Sequence, residues 1–316
     1  MKSVPFKKGL LKLSKNTYAY LQPDGGWGLS NAGLVVGKES SLLVDTLYDL
    51  KLTSQMLDEM SSVLPSGKTI DYLFNTHANG DHWFGNSLLK GARIISTEAC
   101  LREMKELPPK KMNLLMRLSF LLGKGGKYAR ESFRRFHYGN IKPLFPQKTF
   151  SGEMEIELGD IGVKLIELGP AHTKGDAVAF LPDRKIVFAA DLLFINSTPL
   201  VWGFPLSNMI RACEYLLDLD AHTFVPGHGP VTDKSGVEEV KRYCEFIDKQ
   251  GRTVLSENCS LVEAAKRIDL KQYASWAHQE RHVANLYCVY REMFPGKKPL
   301  GPISVFGLME EFRRKE

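Results

Sequence analysis

Two histidines and an aspartate crowd into six residues at His77-Ala78-Asn79-Gly80-Asp81-His82. Imidazole nitrogens and carboxylate oxygens suit zinc, and also iron or manganese. Gly80 permits the tight backbone path that lets such side chains converge. Three further candidates stand in short, mostly glycine-flanked segments: His172 in Gly169-Pro-Ala-His-Thr-Lys-Gly-Asp176, Asp191 after Phe188-Ala-Ala, and His228 in Pro226-Gly-His-Gly-Pro230. One histidine alone reads most simply as a surface or hydrogen-bonded core residue. Acids and histidines following four separate strand ends are hard to explain that way. One position breaks the pattern: Asn79 stands where the alternation from His77 would suit another histidine.

Such convergence needs strands that deliver each side chain to a common edge. Residues 70–74 read as a strand feeding directly into the His77 loop. Before it, short apolar runs at 32–37 and 41–45 form a strand hairpin. Residues 50–64 carry apolar side chains at helical spacing and stop before Pro65-Ser-Gly. A short helix at 83–89 and a strand at 92–96 follow. A second run of strands covers 154–158, 163–168, 177–181 and 186–190, then a helix at 207–217 and a strand at 223–226. On this reading His172, Asp191 and His228 each end a strand. Residues 234–312 read as largely helical, with a turn or connector near Gly251 and another at Pro295-Gly. Strand, helix and strand given twice predict two sheet halves with helices packed outside.

Taken in order, these segments resemble the metallo-β-lactamase superfamily, whose motifs are an Asp after an early strand, HxHxDH, a lone His, a bridging Asp and a final His in a PGHG-like loop. Here they are Asp45, His77-Ala-Asn-Gly-Asp81-His82, His172, Asp191 and His228, with the match running from about residue 18 to 231. The resemblance implies an α+β fold, a four-layer αββα sandwich over residues 1–233, with a basic helical insertion at 107–148 and a mainly helical extension at 234–316. It also implies a metal-dependent hydrolase whose nucleophile is a metal-activated water, acting on an ester, lactone, thioester or sulfate ester. The metal lowers the pKa of bound water from ~15.7 toward 7, so no Ser or Cys nucleophile is required.

By the same resemblance, a first metal site uses His77, residue 79 and His172. A second uses Asp81, His82 and His228, and Asp191 bridges the two. Asp81 and Asp191 take the catalytic roles, and Asp45 steadies the loop without binding metal. Asn79 is the departure: an amide oxygen is a poorer zinc donor than imidazole. The expectation is one tightly held zinc and a weaker second site, with iron or manganese as alternatives. A non-catalytic or weakly active ligand-binding protein on the same fold is the competing reading. A redox member like the diiron flavoproteins is disfavoured, because those usually carry Glu at the position of Asn79 and an appended flavin domain.

Composition narrows the setting. A hydrophobic fraction of 43% and a charged fraction of 25% describe an ordinary globular chain. No apolar run approaches the ~18–20 residues that span a bilayer. The first fifteen residues show no secretory leader, and five scattered cysteines without a CxxC pair suit a reducing cytoplasm. The net charge of +6 is uneven: residues 107–148 hold ten Lys or Arg against Glu131 alone, giving +9, so the rest carries −3. That segment reads either as a helical pair solvating its basic face or as a lid over the metals. A lid with this charge favours an anionic or amphipathic small-molecule substrate, or touches an acidic membrane surface. Nucleic acid is a weaker partner. The C-terminal helices could close the site or form an oligomer interface. Two apparent motifs are set aside: His278-Gln-Glu-Arg-His282 as a solvated helix face, and Gly123-Lys-Gly-Gly-Lys127 as a flexible turn.

Overall fold

The computed structural model describes residues 6–23 and 26–314; the leader reading of the N-terminus falls partly on residues 1–5, outside them. β1 (Gly9–Ser14) and β2 (Thr17–Leu21) open the chain as an antiparallel pair, continued by β3 (Ala32–Val36) and β4 (Ser41–Val44). α1 (Leu50–Ser61) begins at Asp49, whose carboxylate accepts from the Leu52 N–H, and turns Met56 and Met60 inward. β5 (Tyr72–Phe74) leads to α2 (Gly80–Trp83), a 3-10 turn over Phe84–Leu88, and β6 (Arg93–Thr97). α3 (Glu98–Glu106), α4 (Pro109–Leu118) and α5 (Gly123–Phe133) precede β7 (Lys148–Phe150), which closes a seven-stranded sheet in the order β1 to β7.

The second sheet holds β8 (Glu153–Glu157), β9 (Gly162–Glu167), β10 (Ala177–Leu181), β11 (Ile186–Phe194) and β12 (Thr223–His228). β11 and β12 run parallel, linked through α6 (Leu206–Asp218). α7 (Lys234–Leu255), α8 (Leu261–Arg267), α9 (His282–Met293) and α10 (Pro302–Arg313) complete the chain.

Strand alternation builds the layers. Leu42 and Val44 of β4 face Ile186 and Phe188 of β11 in the core between the sheets. Leu43, on the opposite face, packs on Met56 and Met60 of α1. Val178, Phe180 and Val187 turn outward from the second sheet onto α6, α7 and α9. Helix, sheet, sheet, helix is therefore the order of layers, an α+β sandwich.

Three readings of local structure are corrected. α7 runs unbroken through Gly251, because that glycine lets Leu286 and Val289 of α9 approach closely. Gly123-Lys-Gly-Gly-Lys127 is no loop but the first turn of α5. A Cβ at Gly125 would stand 2.0 Å from the Ile303 carbonyl oxygen of α10, so glycine permits the crossing. Residues 278–282 are not a solvated helix face either. His278 has φ +57 ahead of a 3-10 turn, while Arg281 and His282 are buried.

Candidate metal centre

The His77 loop is tied down before any donor is placed. The Asn75 and Asn86 side chains, at its two ends, bond each other, and Asn75 also donates to the His82 carbonyl. Ser30 donates to the Asp81 carbonyl and the Trp83 indole to that of Ala78. Asp45, buried with φ +64, accepts from the Thr76 N–H at 2.8 Å and its hydroxyl at 2.7 Å. The same carboxylate meets His82 Nδ1 at 2.8 Å, which turns His82 Nε2 toward the centre.

Asp191 does not end its strand. It lies inside β11 at an irregularity where pairing to β12 shifts on both sides of Ala190, which has φ +45. A bulge of this kind re-aims a side chain, here toward the histidines. Its Oδ1 lies 3.1 Å from His82 Nε2; its Oδ2 lies 3.3 Å from His172 Nε2, 3.5 Å from His228 Nε2 and 3.8 Å from His77 Nε2. A Cβ at residue 227 would stand 1.8 Å from Asp191 Oδ1, so Gly227 is what makes room for the carboxylate. His228 is the last residue of β12, stacked on Phe194, with Nε2 3.5 Å from Asp81 Oδ2. Asn31, the residue before β3, holds this strand end through the Pro226 and Gly229 carbonyls. His172 lies in the β9–β10 loop, beyond the strand rather than ending it. Asp176 fixes that loop by accepting from the Ala171 and Thr173 N–H groups and the Thr173 hydroxyl.

All six sequence candidates thus converge, every one buried. Two overlapping donor groups, which share His82, are each compact enough to hold an ion: His77, His82 and Asp191; and Asp81, His82 and His228; His172 belongs to neither. His77 Nε2, His82 Nε2 and Asp191 Oδ1 are buried without a hydrogen-bond partner among the described residues. Leaving such atoms unpaired costs ~1–3 kcal/mol each, whereas a cation satisfies them together. The donor chemistry and these orphaned atoms fit a divalent metal.

Asn79 is not a bystander. His172 Nδ1 lies 2.6 Å from the Leu200 carbonyl, so that nitrogen carries the proton and Nε2 is the lone-pair atom. Asn79 Nδ2 donates to this Nε2 at 2.8 Å. The amide therefore covers the donor that His172 would offer a metal.

Electrostatics separate the imidazoles. Burial lowers His77 well below 6.5, reinforced by His82, and lowers His172. At His82 burial is outweighed by Asp191, Asp45 and Asp81, and at His228 by Asp191 and Asp81, so both pKa values rise. Burial also raises Asp45, whereas at Asp191 the histidines overcome burial and hold the carboxyl well below its ordinary value. The carboxylates thus favour positive charge at His82 and His228, while burial disfavours it at His77 and His172.

The centre forms the floor of a cavity of about 640 Å³ whose walls include Trp27, Phe133, Trp202 and Phe306. Arg281, which sequence reasoning missed, is 1% exposed and enters from the 3-10 turn ahead of α9. Its guanidinium lies 4.4 Å from the Trp27 ring and 5.4 Å from that of Phe194. It bonds Ser197 Oγ and the Thr198 carbonyl, its Nε has no partner, and it forms no salt bridge among the described residues.

A family model described as the metallo-beta-lactamase superfamily matches residues 25–228. A beta-lactamase-like protein 2 homolog of Caenorhabditis elegans is 26% identical over 227 residues, covering 72% of this chain and 64% of its own. A hydroxyacylglutathione hydrolase of Brucella ovis is 28% identical over 211 residues, covering 64% of this chain and 60% of its own. The chain thus spans less than two thirds of these curated relatives. A stereoselective inverting sec-alkylsulfatase from Pseudomonas sp. superposes with a TM-score of 0.67 at 13% identity, over 93% of this chain and 52% of that one. At that identity the likeness is one of fold.

Proposed function

Because the chain belongs to the metallo-β-lactamase superfamily, we propose that it is a metal-dependent hydrolase of an ester, lactone, thioester or sulfate ester that joins an anionic group to an apolar body. The single observation that carries this reading is the buried nest of four histidines and two aspartates on the floor of an aromatic cavity. Zinc fits the donor set. Asp81, His82, His228 and Asp191 would hold it tightly, and the side formed by His77 and His172 is weakened by Asn79. A bound divalent cation supplies Lewis acidity and a water acidified toward neutrality. Asp45 and Thr76 orient His82 and His77, and the Leu200 carbonyl orients His172. Asp191 stands within 3.8 Å of all four imidazoles, Asp81 faces His228, and the aromatic walls exclude bulk water.

Arg281 supports the anionic part of the substrate: a buried guanidinium without a carboxylate partner is a ready site for one. The name of one relative, a hydroxyacylglutathione hydrolase, agrees with hydrolysis of a polar substrate. A reducing, cytoplasmic setting suits the five free cysteines, four of them buried.

The test is a hydrolase panel on metal-replete protein, comparing anionic and neutral members of each ester class. We expect turnover, and Arg281→Gln should raise KM for anionic members by ~10–100-fold while changing neutral ones little. Absence of turnover by folded, metal-replete protein, with tight ligand binding retained, would point instead to a non-catalytic binding protein.

A further inference from the structure

Among the described residues, six of the nine exposed large hydrophobic side chains fall in one stretch, Leu107, Leu114, Leu118, Phe120, Leu121 and Leu122. Phe120 and Leu121, at the turn between α4 and α5, are 68% and 67% exposed. α4 is two-faced: Met112 and Leu115 line the cavity beside the metal centre, while Leu114 and Leu118 look out to solvent. Arg117 shares that outer face, three residues from Leu114. With Arg130 of α5 and Arg134 just beyond it, Arg117 surrounds a second hollow of about 280 Å³, also lined by Asn113 and His137. Among the described residues these three arginines form no ion pair. The nearby acids are engaged elsewhere, Glu311 with Lys124, Glu310 with Lys127, and Glu131 with Arg313.

We propose that the α4–α5 tip docks on a bilayer containing anionic phospholipid, with Leu118, Phe120 and Leu121 entering the acyl boundary and the Arg117–Arg130–Arg134 hollow taking a phosphate headgroup. Exposed apolar side chains flanked by unpaired cations are what binding at a lipid surface requires. A segment of +9 disfavours a second copy of the chain as the occupant, because a two-fold contact would set like charges against one another. The surface is continuous with the cavity mouth, since the same helix walls the cavity. The inference stands whether or not the centre hydrolyses an ester.

The test is sedimentation of full-length, metal-loaded protein with vesicles of phosphatidylcholine alone, or mixed with phosphatidylglycerol. Wild type should bind the mixed vesicles and not the neutral ones. Phe120→Ser with Leu121→Ser should weaken binding about tenfold or more. Arg117→Gln, Arg130→Gln and Arg134→Gln together should weaken it on the order of a hundredfold. Circular dichroism and the melting temperature should match wild type in both variants. The proposal is overturned by equal binding to both vesicle types, by no binding, or by binding that folded variants retain. Lipid-free self-association abolished by Phe120→Ser and Leu121→Ser would also overturn it, assigning the patch to a second copy.

Discussion

Asp45 touches no other candidate ligand at hydrogen-bonding distance except His82, yet it joins two of the imidazoles. It accepts from the Thr76 hydroxyl, whose oxygen lies 3.1 Å from His77 Nδ1, and it meets His82 Nδ1 directly. Both rings are thereby aimed with Nε2 toward Asp191. Asp45→Asn would set an amide against one of these donors, and metal affinity should fall ~10–100-fold. Competition against a chromophoric chelator reads this; unchanged affinity would show that the rings are held by other contacts. The metal-ligand candidates were legible in the sequence because residue type and glycine context announce them. Arg281, Asn31 and Asn86 were not, because their roles come from partners far along the chain. Arg281 in particular looked like part of a solvated charged helix until its contacts with Trp27, Phe194 and Thr198 placed it in the cavity.

At the scale of elements, most strands fell where short apolar runs bounded by turn residues put them. The edge pair β1–β2 escaped notice: β1 is half-buried and its lysine interrupts the apolar run. The α4–α5 pair was harder still, since the glycines opening α5 signal a turn by local chemistry and serve a crossing by tertiary contact. Gly125→Ala tests that account. Its methyl would meet the Ile303 carbonyl, and the protein should lose ~1–3 kcal/mol of stability by denaturant unfolding. Wild-type stability in this variant would mean that α5 and α10 are not held at the distance described.

Across the whole molecule, the C-terminal helices are part of the site as well as of the core. They bring Arg281, Tyr287 and Phe306 to the cavity wall, and they bury His282, whose pKa burial pulls down to about 4. The unfolded chain takes up this proton near 6.5 and the folded one refuses it, so the contribution of His282 to stability is full above pH 6.5 and is lost as pH drops toward 4. Between pH 7 and 5 His282→Leu should therefore lose ~2 kcal/mol less than wild type by urea unfolding. Equal losses would remove His282 from the acid response. The count of metals tests the central claim most directly, because the sandwich, its bulge and its loops all serve to gather one set of donors that Asn79 partly closes. Metal analysis of wild type and Asn79→His after exhaustive dialysis, paired with the hydrolase panel, should give about one tightly held ion in wild type and close to two in the variant, since imidazole would complete the first site. Two tight ions in wild type, or none in a folded protein, would contradict the account.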